Sequence, residues 1–290
     1  MLTINLDTCT KCRACVRDCP SYVLEMEESG PVEKYPENCI ECGHCVAICP
    51  VTAIVHEHMD MAGFPEIEEP GISFEQFVHL TRNRRSTRRF KKEPITREII
   101  EKILESVRYV PTGENAQELQ YLVITDPAQL QKIKEDMAKH FKMLKNAVKG
   151  FYGLVILGMG RKEAARAKHS LDRLIDKWDN GKDAGEDPFL RTAPVLIIIH
   201  AKQKTAMAQV DAGIAGYHVN LACETLGIAT VWNGFHQVFS NLFGSTRKAS
   251  LVPKGHKVLG SICMGYPAVN YKRNVFRRPL KATIVGGDET

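Results

Sequence analysis

The spacing of hydrophobic residues predicts four amphipathic or apolar helices and a fifth, more polar helix after residue 72. Apolar side chains recur there every three or four residues, which is the period of a helix with one buried face. The predicted helices cover residues 73–83, 99–107, 126–148, 164–179 and 207–226. Ser73 and Gln76 match a capping box, Asp126-Pro127 is a typical helix start, and Gly227 is a typical helix end.

Apolar runs rich in β-branched residues lie between these helices and predict the strands. The runs are QYLVIT, GLVILG at residues 153–158, PVLIIIH at residues 194–200, IATVW and KVLGSICMG. Together with the helices they predict an α+β domain, in which helices cover a mostly antiparallel or mixed sheet. Cys223 and Cys263 lie in such apolar segments and are expected to be buried, unreactive thiols.

Residues 1–60 differ from the rest and predict a separate module. They hold eight of the ten cysteines, and their apolar segments are short. Tyr22-Val23-Leu24 and Ala53-Ile54-Val55 predict small strands around a thin core. Residues 61–72 are rich in Pro and Gly and are the predicted linker. The large domain then spans residues 73–290.

The two parts of the chain differ in charge. Residues 1–60 hold four Lys/Arg against ten Asp/Glu, whereas the whole chain has a formal net charge of +5. The densest basic run, RNRRSTRRFKK at residues 82–92, has no interleaved aromatic residue beyond Phe90, so it favours a bound anion or solvated surface over nucleic acid. Neither a secretory leader nor an apolar run of about 20 residues is apparent. The sequence therefore predicts a cytoplasmic protein that acts without nucleic acid or membrane.

The cysteines of the module form an internal duplication. CTKCRACVRDCP and CIECGHCVAICP each have the spacing C-x2-C-x2-C-x3-C-P. In this spacing three thiolates hold one iron–sulfur cube, and the fourth ligates the cube of the other copy. The predicted ligands are Cys9, Cys12, Cys15 and Cys49 for the first [4Fe–4S] cluster, and Cys39, Cys42, Cys45 and Cys19 for the second.

Two other uses of these cysteines are weaker. Structural zinc sites close on four ligands from two separated pairs, which leaves the third cysteine of each copy without a role. Disulfides require an oxidising compartment, which nothing in the sequence indicates. The motif resembles bacterial two-cluster ferredoxins over residues 1 to about 58.

Four motifs of the large domain occur in the order seen in the FMN-dependent nitroreductase family. They are RRSTRRF at residues 84–90, PTGENAQ at 111–117, DAGIAGYHVNLACETLGIATVWNGF at 211–235 and GYPAVNYKRNVFRRP at 265–279. The chain therefore resembles ferredoxin-fused, nitroreductase-like flavoproteins. The resemblance implies a nitroreductase-like FMN-binding α+β sandwich preceded by a small ferredoxin-like iron–sulfur domain. It also implies a homodimer with FMN at the subunit interface.

The resemblance further implies which residues bind FMN. Arg88 matches the cation near flavin N1, where a permanent positive charge stabilises the reduced ring. The other matched positions fall into three groups. The phosphate ligands are Arg84 and Ser86, with Arg85 beside them, and Arg278 aided by Arg277. The segment from the partner chain contains Pro111, Thr112, Gly113, Asn115 and Gln117, and the segment facing N5 contains Val231, Asn233 and Gly234.

Two positions depart from the family pattern. Glu118-Leu119 stands where the family often has Pro-Trp, and Asn233 stands where a carboxylate is common. No side chain is predicted to act as nucleophile or general base. Protons are expected from solvent, and His236 is a candidate donor only because it is next to the N5 segment.

The combination of motifs predicts an FMN- and iron–sulfur-dependent oxidoreductase. A cubane cluster passes electrons one at a time, whereas the reduction of a nitro compound, quinone or enone requires electron pairs. A flavin can accept single electrons and donate them as a pair. The expected donor is a low-potential carrier such as ferredoxin or flavodoxin, or NAD(P)H, and the acceptor is a small electron-poor molecule. Two alternatives stay open: a redox sensor or electron-carrier module acting on a protein partner, and reductive dehalogenation or other flavin chemistry on the same fold.

Overall fold

A computed structural model shows an N-terminal module and a larger C-terminal domain. The structure describes residues 1–151, 158, 160–181, 187–202 and 207–286. The strand predicted at residues 153–158 lies outside the described residues, apart from Gly158. Among the described helices, none has the length and apolarity that a bilayer crossing requires.

The N-terminal module consists of two small sheets and two short helices. Its elements are β1 (Leu2–Ile4), α1 (Ala14–Asp18), β2 (Leu24–Met26), β3 (Pro31–Glu33), α2 (His44–Ala47) and β4 (Ile54–His56). β1 pairs antiparallel with β4, and β2 pairs antiparallel with β3. Before each helix the backbone is left-handed, at Arg13 (φ 67°) and Gly43 (φ 74°). The two copies of the cysteine motif therefore fold in the same way.

The core of this module is small. The buried residues of its apolar cluster are Cys15, Leu24, Val46 and Ile54, and three of the four stand in or between the cysteine motifs. A core of this size supplies little stability by itself, so ligation of inorganic clusters is expected to supply much of it.

The described residues of the C-terminal domain form seven α-helices and four strands. Its elements are α3 (Phe74–Asn83), α4 (Arg97–Val107), β5 (Gln120–Ile124), α5 (Pro127–Gly150), α6 (Arg161–Gly181), β6 (Val195–Lys202), α7 (Ala208–Thr225), β7 (Ala229–Trp232), α8 (Gly234–Leu242), α9 (Gly244–Ala249) and β8 (His256–Gly265). The strands form one antiparallel sheet in the order β5-β6-β8-β7. The α+β class and the antiparallel sheet agree with the sequence prediction.

Helices cover both faces of this sheet. Leu196 and Ile198 of β6 belong to the core shared with α5, α6 and α8. Val195, Ile197 and Ile199 point the other way, into the core shared with α4 and α7. Burial on both faces explains why the run PVLIIIH is continuously apolar rather than alternating.

The helix boundaries follow the signals read from the sequence. Ser73 Oγ accepts from the backbone N–H of Gln76 at 3.3 Å, and Gln76 Oε1 accepts from the backbone N–H of Ser73 at 2.8 Å. Asp126 caps α5 through its carboxylate. Gly227, at φ 69°, takes the left-handed conformation just beyond α7. Each of the two N-caps contributes about 1 kcal/mol to helix stability.

Two glycines hold the indole of Trp232 at the end of β7. A Cβ atom at Gly216 of α7 would overlap the Trp232 ring, and one at Gly260 of β8 would lie 2.9 Å from it. The indole Nε1 donates to Gln237 Oε1 at 3.0 Å. This close packing fixes the position of the backbone that leads from β7 into Asn233.

Candidate functional site

The structure brings the eight motif cysteines together in two groups of four. One cavity is lined by Cys9, Cys12, Cys15 and Cys49, and a second by Cys19, Cys39, Cys42 and Cys45. The fourth cysteine of each copy therefore lies with the first three cysteines of the other copy. This is the crossed arrangement expected from the spacing.

Backbone amides around the sulfurs are arranged alike in both groups. Lys11 N and Glu41 N donate to Cys9 Sγ and Cys39 Sγ at 3.5 and 3.4 Å. In the same way, the amides four residues after Cys19 and Cys49 donate to those sulfurs at 3.3 and 3.2 Å. Such N–H···S bonds stabilise negative charge on cluster ligands.

The cysteine groups fit an iron–sulfur cube better than a single ion. No three His, Cys, Asp or Glu side chains in the described parts of the chain converge closely enough to ligate one metal ion, whereas a cube takes one thiolate at each of four separated corners. Burial, with the neighbouring thiols of its group, raises the pKa of Cys45 to about 11. Positively charged iron offsets that penalty, because metal ligation deprotonates a thiol.

A buried histidine lies beside the second cysteine group. His56 is 1% exposed, and its Nε2 is 3.8 Å from Cys39 Sγ. The backbone N–H of His58 donates to His56 Nδ1 at 3.2 Å. Nδ1 therefore acts as an acceptor, which leaves the proton on Nε2, facing the sulfur. Sequence reasoning did not single out this residue, although it follows Cys49 by only seven positions.

The basic run of the C-terminal domain joins the sheet beside β7. Ser86 forms a parallel bridge with Thr230, and Thr87 N donates to Thr230 O at 3.0 Å. Farther along, Phe90 bridges Pro267. Three predicted FMN segments, around residues 84–90, 230–234 and 265–268, are thereby held together by backbone hydrogen bonds.

Alternate residues of this extended run face different surroundings. The guanidinium of Arg84 lies over the Tyr217 ring of α7, 5.8 Å from its centroid, and its Nε is buried without a hydrogen-bond partner. Arg85 instead stacks on Tyr271 at 4.6 Å and lines a separate cavity of about 440 Å³. The buried, unpartnered Nε of Arg84 fits an anionic ligand such as a flavin phosphate, since an unsatisfied buried donor is costly.

The Asn233 side chain is used for structure. It is 7% exposed, its Oδ1 accepts from His236 N at 3.0 Å, and its Nδ2 donates to Phe189 O at 2.8 Å. Asn233 is thus the N-cap of α8, and Gly234 begins the helix. A helix start with free N–H groups suits the electron-rich edge of a flavin.

His236 is enclosed rather than exposed to a substrate. It is fully buried, and its ring nitrogens contact the hydroxyls of Ser250 and Ser261 at 2.8 and 2.9 Å. Burial lowers its pKa to about 4. Its surroundings therefore do not favour the proton-donor role considered from the sequence.

The PTGENAQ loop is tightly constrained. Gly113 N donates to Asp211 Oδ1 of α7 at 3.2 Å, and Gln117 N donates to Thr112 Oγ1 at 3.1 Å. Asn115 and Gln117 have left-handed φ values of 53° and 46°. Strain of this kind is typical of functional loops.

This loop also contacts the N-terminal module. Asn115 Nδ2 donates to Ile40 O at 3.1 Å and to Glu41 O at 2.7 Å, while its Oδ1 accepts from Gln117 Nε2 at 3.1 Å. Ile40 and Glu41 lie between the cluster ligands Cys39 and Cys42. The sequence placed Asn115 only among the flavin contacts, because a contact between domains leaves no periodic signal.

Other predicted positions are less enclosed. Arg88 is exposed, with its guanidinium 3.2 Å from Ser86 O. Val231 is buried in β7, and Pro111 is exposed at the start of the constrained loop. Arg277 and Arg278 are exposed in a C-terminal segment without regular structure, so this single chain does not place them beside Arg84.

Comparisons with known proteins agree with both halves of the chain. The nitroreductase family matches residues 81–266, and the 4Fe-4S dicluster domain matches residues 1–50. A ferredoxin of Pyrobaculum islandicum is 43% identical over 53 residues, which is 18% of this chain and 50% of that protein. Iodotyrosine deiodinase of Nematostella vectensis is 24% identical over 238 residues, covering 79% of this chain and 82% of that protein.

Solved structures have the same fold in the C-terminal domain. An FMN-bound nitroreductase of Bacteroides fragilis superimposes with a TM-score of 0.53 at 22% identity, covering 73% of this chain and 99% of that one. An iodotyrosine deiodinase bound to FMN and 3-iodo-L-tyrosine gives a TM-score of 0.50 at 22% identity, with the same two coverages. FMN and two [4Fe–4S] clusters are the cofactors of this enzyme. The chain belongs to the nitroreductase family and is an iron–sulfur flavoprotein oxidoreductase with an N-terminal 4Fe-4S dicluster domain.

Proposed function

We propose that the enzyme takes single electrons from a low-potential donor and uses them in pairs to reduce a small electron-poor acceptor, such as a nitro compound, quinone or enone. When bound, the clusters supply one-electron transfer and FMN supplies the conversion to two-electron chemistry. The observation that carries the proposal is the pair of hydrogen bonds from Asn115 to Ile40 O and Glu41 O. They join a cluster-binding loop to a predicted flavin-binding loop.

Each predicted flavin contact has a physical role in this proposal. Arg84 and Ser86 hold the phosphate, and the buried Arg84 Nε gains the partner it lacks. Arg88 places a permanent cation where a reduced flavin is negative, which favours reduction. Gly234 exposes backbone amides at the start of α8 and allows close approach of the ring.

A homodimer accounts for the exposed apolar surface around α7. Val210, Ile214 and Tyr217 of this helix are between 43% and 54% exposed, and Phe74 and Phe77 of α3 are 75% and 47% exposed. Apolar side chains at this density are typical of an obligate interface. Members of the nitroreductase family are typically FMN-binding dimers, so a second copy of this chain is the proposed occupant.

Dimerisation implies that electrons cross between subunits. The PTGENAQ loop is expected to reach the flavin whose phosphate the other chain holds. Hybrid dimers test this: one chain carries Cys42→Ser and the other Arg84→Met. The hybrid retains one flavin site beside an intact cluster of the opposite chain, so we expect activity. Loss of activity in the hybrid would place transfer within one chain.

The main test measures composition and turnover. We expect about eight iron atoms per chain and FMN released on denaturation. Anaerobic turnover with dithionite or reduced ferredoxin is then measured with nitroaromatics, quinones and enones. Multiple turnovers support the proposal, whereas failure with every acceptor, together with a stable protein partner, supports a redox sensor or carrier.

Reductive dehalogenation is the second candidate. It is favoured by the similarity to iodotyrosine deiodinases over 79% of this chain. Iodinated and chlorinated phenols, including 3-iodotyrosine, belong in the same acceptor panel. Halide release at a rate above that of nitro or quinone reduction would make dehalogenation the main activity.

A further inference from the structure

The two copies of the cysteine motif meet different surroundings. In the second copy, Ile40 and Glu41 accept hydrogen bonds from the C-terminal domain. The equivalent residues of the first copy, Thr10 and Lys11, are exposed, and Lys11 Nζ donates within the module, to Glu28 O at 2.9 Å. A symmetric motif is therefore used asymmetrically, with the second group facing the flavin loop.

The first group has the more accessible sulfur. Cys12 is exposed, whereas its counterpart Cys42 is partly buried. An exposed ligand gives a redox partner a short path to the cluster.

Basic residues surround this exposed sulfur. Residues 1–60 contain only four Lys/Arg, and three of them are Lys11, Arg13 and Arg17, all exposed. The acidic neighbour Asp18 is paired with His44, at 3.4 Å, rather than with these three. On a module with ten Asp/Glu, this concentration of positive charge is a local exception that would attract an acidic surface.

We propose, on the basis of the function above, that an acidic one-electron carrier protein docks on Lys11, Arg13 and Arg17 and reduces the first cluster. The second cluster then delivers electrons toward the flavin beside Asn115. Each docked carrier is oxidised by one electron. Two successive dockings supply the pair that, with two protons from solvent, reduces the acceptor.

The test compares charge variants in stopped-flow reduction by an acidic flavodoxin hydroquinone at low and high ionic strength. The variant is Lys11→Glu/Arg13→Glu/Arg17→Glu. The matched control is Lys34→Glu, which reverses the fourth basic residue of the module, at an exposed site paired with Glu25. At low ionic strength we expect the rate of cluster reduction in the triple variant to be lower than in wild type by a factor of about ten or more. The control should match wild type, and salt should slow wild type toward the variant.

Reduction by dithionite separates docking from folding and from the proposed function. The rate of reduction by dithionite and the iron content should both be the same in wild type, the triple variant and the control. If the triple variant loses iron, the milder Lys11→Gln/Arg17→Gln variant is used instead. We expect a smaller decrease in its rate of reduction by flavodoxin. Equal flavodoxin rates in wild type and variant would overturn the docking proposal while dithionite-driven turnover upholds the proposed function. Absence of turnover with every reductant would overturn the proposed function itself.

Discussion

His56 is expected to raise the reduction potential of the second cluster. Its buried imidazole presents an Nε2–H group 3.8 Å from Cys39 Sγ, and the His58 backbone fixes this orientation. Reduction adds negative charge to the cluster, so the hydrogen bond is stronger in the reduced state. If it strengthens by about 1.4 kcal/mol, roughly half the contribution of a hydrogen bond to a charged group, the ratio of reduced to oxidised cluster changes about tenfold. That equals about 59 mV for one electron.

The perturbation is His56→Leu, which removes the donor at similar volume. We expect the midpoint potential of one of the two clusters to fall by about 59 mV in a redox titration followed by electron paramagnetic resonance. His56→Gln keeps an N–H group at a similar distance and should restore most of the potential. His44→Gln is the control, because that exposed side chain pairs with Asp18.

The refuting result is specific. If His56→Leu retains full iron content and both clusters keep their wild-type potentials, the hydrogen bond does not influence the cluster. A shift in His44→Gln of the same size would assign the effect to general electrostatics. A fall that His56→Gln does not reverse would assign it to packing.

Three further predictions concern the C-terminal domain. Gly216→Ala should lower the free energy of unfolding by about 1–3 kcal/mol in chemical denaturation, because its Cβ overlaps the indole packed there; Gly150→Ala, in open space on α5, should not destabilise. Arg84→Met should lose FMN on gel filtration, whereas Arg89→Met, at an exposed position, should keep it; equal retention would remove Arg84 from the phosphate site. Asn115→Asp exchanges two N–H donors for a carboxylate facing two carbonyls. It should increase the radius of gyration in small-angle scattering and slow cluster-to-flavin transfer by tenfold or more, and an unchanged radius with an unchanged rate would contradict the assigned contact.

The cluster ligands could be predicted from the sequence because their chemistry depends on spacing along a short loop. Eight cysteines at a repeated interval define both groups, including the exchange of Cys19 and Cys49. Five of the seven described α-helices of the C-terminal domain and its four described strands were also predictable from local patterns, whereas α8 and α9 were not predicted. Ser73, Asp126 and Gly227 gave helix ends because they act on neighbours within four residues. Local rules suffice where the interacting groups are close in sequence.

Contacts between distant parts of the chain were decided only by the tertiary structure. Asn115 meets Ile40 and Glu41 across about 75 positions, and no periodic or compositional signal records such a pairing. Three other features also depend on contacts between distant segments. They are the burial of His56 beside Cys39, the use of Asn233 as a helix cap, and the different surroundings of Arg84 and Arg85. They depend on where backbone segments pack and which face an extended run presents, and both are set by the whole folded chain. The sequence thus determined which cofactors the protein can hold, whereas packing determined which cysteine group faces the PTGENAQ loop.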